Sequence, residues 1–238
     1  SRLMSNFKFK EFSVKQEASA MKIGTDGVLL GAWVNLDQVY TALDVGTGTG
    51  LIGLMIAQRS EADIEAVEIE DAAFEEAVFN FEESPWSDRL FVYHASFQEF
   101  AQEMDESYDL IISNPPYFPG SEESTAMSPR QKARQAVSLS FDDLLQGTRE
   151  LLADDGCFAL VLPYLEKDNF IKRAAEFGLY PARTCDVRGR QDGAIVRVMM
   201  EFTKQNQETM EESLTIEIER HEYTKDYTSL VKDFYLKM

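Results

Sequence analysis

Four consecutive residues, Asn114-Pro115-Pro116-Tyr117, carry the most specific chemistry in this sequence. Two prolines hold the backbone extended and stiff and remove two N–H donors. The Asn114 side-chain oxygen and the Pro115 carbonyl then form a rigid pair of acceptors. A nitrogen presenting two N–H bonds satisfies both. The exocyclic N6 amine of adenine is such a group, and a poor nucleophile, because its lone pair delocalises into the ring. Accepting both hydrogens favours a pyramidal nitrogen and stabilises the positive charge that grows as it attacks carbon. That is electrostatic preorganisation, not prior removal of a proton. Tyr117 could stack on the face of an extruded base. The bland alternative is a proline-rich turn with a packing aromatic, and the glycine turn upstream weighs against it.

That turn reads LDVGTGTGLIG from Leu43 to Gly53. Gly46, Gly48 and Gly50 alternate after a short apolar segment, where glycine permits positive φ and lets a ligand touch the backbone. The helix that follows offers free N–H groups. The dinucleotide fingerprint is G-x-G-x-x-G, in which a helix N-terminus meets a pyrophosphate. The spacing in this chain is G-x-G-x-G, with Asp44 just before it. An acidic side chain repels a pyrophosphate but suits a cofactor with a cationic amino group. S-adenosylmethionine has one, and a sulfonium besides, so it is expected rather than NAD. Glu68, at the end of the next apolar segment, stands where a carboxylate accepts from ribose hydroxyls. A glycine turn without a ligand is the weaker reading once Asp44 and Glu68 are taken together.

These residues need a scaffold, and the hydrophobic pattern supplies one. Strands are predicted at Ala42–Val45, Ile64–Glu68, Leu90–Tyr93, Tyr108–Ser113 and Cys157–Leu162. Helices are predicted at Leu51–Gln58, Ala72–Phe81, Phe97–Met104, Phe141–Ala153 and Lys167–Glu176. Phe74, Ala77, Val78 and Phe81 fall at helical spacing and predict a buried stripe. Ser140 can cap the helix after it, with Asp143 placed as in a capping box. Asp155-Gly156 reads as a turn. Strands alternating with helices imply a parallel sheet covered on both faces. Tyr180–Val187 and Ala194–Phe202 then follow without a helix between them, as an antiparallel pair at the end of that sheet. Leu214–Glu219 alternates and reads as one more strand. No internal repeat or linker is visible, so one domain is expected.

Composition sets bounds. The chain has 238 residues and is 44% hydrophobic, normal for a soluble protein. No apolar run is long enough for a transmembrane helix, and SRLMSNFKFK lacks a signal core. Cys157 and Cys185 cannot build a disulfide framework, which points to a reducing cytoplasm. The net charge of −19 opposes a nucleic-acid partner on average. Its distribution is polarised, however: from Ser60 to Pro129 the sole Lys or Arg is Arg89. Lys8, Lys10, Lys15 and Lys22 collect near the start. Arg130, Lys132 and Arg134 follow the middle, and Arg183, Arg188, Arg190 and Arg197 come late. The choice between one basic face and scattered surface cations stays open on charge alone.

LDVGTGTG, AVEIE and SNPPY together resemble class I methyltransferases acting on amide or exocyclic nitrogens. Phe7 to Trp33, Pro129 to Leu139 and Tyr223 to Lys237 extend the likeness over nearly the whole chain, to the bacterial tRNA1(Val) adenine-N6 methyltransferase family. The resemblance implies a Rossmann-like α/β fold: a mostly parallel seven-stranded sheet with an antiparallel terminal strand and helices on both faces. It implies one S-adenosylmethionine-dependent domain, with residues 1–41 as an N-terminal cap, 42–202 as the core and 203–238 as an extension. Asp44, Gly46, Thr47, Gly48 and Gly50 would line the methionine part of the cofactor and Glu68 its ribose. Thr25 and Asp26 would close over it, and Asn114 to Tyr117 would form the amine site. Related enzymes often place an acidic residue after the third strand for the cofactor adenine. This chain has His94-Ala95-Ser96-Phe97, leaving Ser96 and Phe97 as candidates. The implied substrate is tRNA, at the adenosine 3′ of the anticodon. The N-terminal lysines and Arg130, Lys132 and Arg134 would be its phosphate contacts. A cytoplasmic monomer without a metal is expected.

Three rivals are weighed. A glutamine-N5 methyltransferase uses the same motif but usually carries a larger helical region before the glycine turn. A DNA adenine methyltransferase normally needs a sizeable target-recognition region, and none is visible. An inactive RNA-binding protein fits poorly with an intact Asn114 and intact glycines.

Overall fold

The structure, a computed structural model, describes residues 6–16, 24–116, 128–129 and 139–238. Eleven strands and seven α-helices are described in it. The strands are β1 (Asn6–Lys8), β2 (Ser13–Lys15), β3 (Thr41–Val45), β4 (Asp63–Glu68), β5 (Leu90–His94) and β6 (Tyr108–Ser113). They continue with β7 (Leu152–Pro163), β8 (Tyr180–Arg190), β9 (Ile195–Thr203), β10 (Met210–Glu219) and β11 (Glu222–Tyr223). The helices are α1 (Thr25–Trp33), α2 (Leu51–Arg59), α3 (Asp71–Glu82), α4 (Phe97–Glu103), α5 (Phe141–Leu151), α6 (Lys167–Glu176) and α7 (Lys225–Val231).

Nine strands form one sheet in the order β11-β10-β8-β9-β7-β6-β3-β4-β5. This is two more than the seven expected, because β10 adds parallel to β8 and β11 folds back antiparallel on β10. The antiparallel strand β9 lies between β7 and β8. The remaining pairings, β3 with β4 and β6, β4 with β5, and β6 with β7, are parallel, so their carboxyl ends share one edge. Side chains alternate across the sheet as the strand period requires. Ala42, Leu110 and Ile112 face one core, with α1 and α2; Leu43, Val45 and Ile111 face the other, with α4 and α5.

Local chemistry sets the boundaries. Ser140 caps α5 by accepting from Asp143 N–H at 3.1 Å. The reciprocal half of the expected box is not formed, for the Asp143 carboxylate accepts from Gln98 instead. Asp155-Gly156 is not a separate turn but part of β7, whose pairing with β6 shifts register between Tyr108 and Leu110. A β-carbon at Gly156 would crowd Leu152 Cδ1 at 2.8 Å and Tyr108 O at 3.0 Å, which favours glycine there. In α3, Ala77 and Phe81 are buried while Phe74 and Val78 are partly so. Buried Asn80 joins that face for a reason that belongs to the site.

Candidate active site

The glycine turn is shaped by hydrogen bonds from both sides. Gly46, Gly48 and Gly50 take φ of +70, +57 and +87, which side chains with a β-carbon rarely adopt. Gly46 and Thr47 N–H donate to Val67 O of β4 at 3.0 and 3.2 Å. Glu68 Oε1 accepts from Gly48 N–H at 2.8 Å, and its Oε2 from Glu70 N–H at 3.0 Å. From the other side the Asn80 amide donates to Thr49 O at 2.7 Å and to Lys15 O at 3.0 Å. Asn80 reads in the sequence as an ordinary helix residue, and its role shows only in three dimensions. Gly50 caps α2, and the Phe81 ring occupies the space of its missing β-carbon.

Asp44 is buried at the carboxyl end of β3 and accepts from Thr47 Oγ1 at 2.6 Å. Burial raises its pKa to about 7, helped by the Glu68 charge and opposed by the Thr47 hydroxyl and Gly53 N–H. A buried carboxyl in this state gains from a cationic partner. Above Gly46 the space is open, with no atom within 4 Å of where a β-carbon would be. Each Glu68 oxygen has taken one N–H and retains capacity for a second donor. Together these groups fit the amino group, chain and ribose of S-adenosylmethionine.

Ser113 Oγ donates to Val45 O at 3.0 Å, tying the end of β6 to the end of β3. Asn114, Pro115 and Pro116 therefore emerge beside the glycine turn. Asn114 Nδ2 lies 3.5 Å from where a Gly27 β-carbon would stand, so α1 packs closely under the amide. One part of the cleft is lined by Thr25, Asp26, Asp44, Gly46, Thr47, Gly48, Asn114, Pro115 and Pro116, among others. The other part is lined by Gly46, Glu68, Ser96, Phe97, Pro115 and Pro116, together with Ile69, Gln98 and Leu139. The shared residues Gly46, Pro115 and Pro116 join the two parts over the carboxyl edge of the sheet, where doubly wound folds bind nucleotides.

Several candidate residues have structural duties as well. Ser96 caps α4, its oxygen accepting from Glu99 N–H at 3.1 Å. Phe97 is buried and fills the space over Gly147, so its ring belongs to the core more than to a ligand face. Ile69, a partly exposed apolar residue on the cleft wall, was missed by sequence reasoning and offers an apolar face for an adenine. Arg197, one of the late cations in the sequence, also lines the cleft, though no local signal sets it apart from Arg183, Arg188 and Arg190. Lys15 is at the site end of the β1–β2 pair, its ammonium 5.2 Å from the Phe79 ring centroid. Lys8 is exposed. Lys10 donates to Lys232 O and Met238 O, beside Arg59 at the far end of α2 from the glycine turn. Tyr117, Lys22, Arg130, Lys132 and Arg134 lie outside the described residues.

Residues 23–164 match the family model of the methyltransferase small domain. A relative from Christiangramia forsetii, a tRNA1(Val) (adenine(37)-N6)-methyltransferase, is 48% identical, over 99% of this chain and 100% of its own length. One of the same name from Trichodesmium erythraeum is 42% identical over 98% of each chain. A predicted O-methyltransferase from Agrobacterium tumefaciens superposes with a TM-score of 0.68 at 21% identity, over 88% of this chain and 96% of its own. A glycopeptide N-methyltransferase solved with S-adenosylmethionine superposes with a TM-score of 0.52 at 12% identity, over 75% of this chain and 94% of its own. At such identities the structures speak for the fold alone.

Proposed function

The chain belongs to the tRNA1(Val) (adenine(37)-N6)-methyltransferase family, and on that premise we propose that it methylates the N6 amine of adenosine 37 in tRNA1(Val). S-adenosylmethionine is its methyl donor. The observation that carries the reading is the placement of Asn114 and Pro115 beside the glycine turn and the buried Asp44, in one cleft.

When bound, the cofactor supplies an electrophilic methyl group. Asp44 holds its amino group, Glu68 its ribose hydroxyls, and Ile69 one face of its adenine. Asn114 Oδ1 and the Pro115 carbonyl accept the two N–H bonds of the target amine. They turn its lone pair out of the ring plane and stabilise the positive charge as the new N–C bond forms. As the N–C bond forms, the S–C bond of the donor breaks and S-adenosylhomocysteine leaves; the proton of the methylated nitrogen is lost to water after transfer, so no general base is required at the amine. Tyr117, which lies outside the described residues, is the aromatic that the sequence offers for the face of the target base. Ser113, through Val45 O, and Gly27, beneath the amide, keep Asn114 in register with the cofactor. Among the described residues no helix is long and apolar enough to cross a membrane. Two free cysteines support a cytoplasmic location, where tRNA is met.

The test is transfer of tritium from labelled cofactor to unmodified total tRNA, with release factors and duplex DNA as competing substrates. Label in N6-methyladenosine from tRNA supports the reading; label confined to protein or DNA overturns it.

A further inference from the structure

One cation stands at the cleft without a part in the amine site or the cofactor contacts. Arg197 lines the same chamber as Asn114 and Asp44, and among the described residues it is the sole Lys or Arg on the cleft wall. Its Nε donates to Asp26 Oδ2 at 2.7 Å and its Nη1 to Val196 O at 3.0 Å. Among the described residues Nη2 has no partner. The Arg197 side chain is 41% exposed. It is pre-positioned twice over, by a rigid strand and by a carboxylate that fixes its plane. Holding it for a ligand therefore sacrifices little further side-chain freedom.

The surroundings suit an unpaired nucleic acid strand. Arg197 pairs in register with Pro163 of β7. The 3-10 turn Tyr164–Glu166 that follows Pro163 packs against β9 and presents Leu165, which is 92% exposed. Val196, next to Arg197, is 47% exposed. Single exposed apolar residues are ordinary. Arg197 lines the cleft, and Leu165 and Val196 are exposed next to it along the chain or its strand partner; a cation with apolar side chains nearby suits a phosphate and a base face. A polyanion approaching a chain of net charge −19 needs such a local contact.

We propose that this corner holds the nucleotide adjoining the target. Arg197 takes a flanking phosphate through its open Nη2 edge, and Leu165 lies against a neighbouring base. The inference rests on the reading of the chain as a tRNA enzyme. Asp26 cancels much of the long-range field of Arg197, so the contact acts at short range and fixes register more than it steers approach. The competing account is a latch, in which Arg197 does no more than hold α1 over the cofactor through Asp26.

Arg197→Ala and Leu165→Ala separate the two accounts. Binding to tRNA is measured across a salt series, and S-adenosylhomocysteine binding by calorimetry. Arg197→Ala is expected to weaken tRNA binding roughly 10- to 100-fold, the range for a lost charge-assisted bond. It should flatten the log–log salt slope by roughly 0.7, the value for one single-strand phosphate contact. Leu165→Ala should weaken tRNA binding about fivefold without changing the slope, and as an exposed truncation it leaves the fold intact. Cofactor affinity should hold in both. An Arg197→Ala variant that loses cofactor and tRNA binding together overturns the proposal in favour of the latch. If the wild-type enzyme methylates tRNA and both variants keep its affinity and slope, this corner alone is refuted. A wild-type enzyme inert on tRNA removes the functional reading and this inference with it.

Discussion

Gly48 N–H donates to Glu68 Oε1 over 2.8 Å, so the residue expected to hold the cofactor ribose also fixes the turn that receives the cofactor. Its other oxygen accepts from Glu70 N–H. Glu68→Gln keeps the size but turns one acceptor into a donor facing a backbone N–H. The expected outcome is a loss of S-adenosylhomocysteine affinity of roughly 1–3 kcal/mol, the range for a buried polar group left unpaired. Calorimetry reads it directly, and unchanged affinity would move the ribose contact away from Glu68.

Asp44 gives a pH dependence of definite sign. Its folded pKa of about 7 lies above its unfolded value of 3.8, so the folded chain keeps the proton where the unfolded chain has lost it. The stability from this group is therefore complete below 3.8 and is lost as pH rises to about 7. Asp44→Asn should abolish this loss and leave the cofactor-free protein more stable at pH 8. Binding of the cationic amino group needs the carboxylate. Cofactor affinity should therefore rise about tenfold per pH unit approaching 7 from below, a dependence the Asn variant lacks. A flat wild-type profile would place the amino group elsewhere.

Gly50 tests the turn through its packing against Phe81. Its φ is +87, and a β-carbon would lie 2.7 Å from Phe81 Cε1. Gly50→Ala should destabilise the protein by about 2 kcal/mol or more, combining left-handed strain with overpacking. Urea denaturation of the cofactor-free protein measures it. A change under about 0.5 kcal/mol, the scale of a neutral surface substitution, would mean that the turn relaxes freely.

The parts of the site legible in the sequence were those where chemistry demands unusual residues at fixed spacing. The glycine turn with Asp44 and the Asn-Pro-Pro run were found that way, and the structure sets them in one cleft. The central strands were legible as short apolar runs bounded by turn residues, buried on both faces as a covered parallel sheet requires, and α2 because it follows the glycine turn directly. Helix α1 was not. Every residue from Gly27 to Trp33 is buried, so no polar face produces a helical period. The roles of Asn80 and Arg197 escaped for a different reason: their partners, Thr49 and Asp26, are 31 and 171 residues away. Leu214–Glu219 was legible as a strand and forms most of β10, but its start at Met210 and the short β11 were not. Phe97 follows the third strand as a ligand contact would, yet the space over Gly147 draws its ring into the core.

The central claim is that Asn114 serves the transferring amine and not the binding of the cofactor. Single-turnover methyl transfer to unmodified tRNA, with the product nucleoside identified, tests it most directly when wild type and Asn114→Ala are compared at saturating cofactor. The account predicts N6-methyladenosine from the wild type and a rate lower by about 10²–10³ in the variant, the usual effect of removing one transition-state acceptor or donor. Cofactor affinity should stay within about twofold, under 0.5 kcal/mol. A variant that keeps its rate, or loses cofactor binding as steeply as rate, would contradict the account.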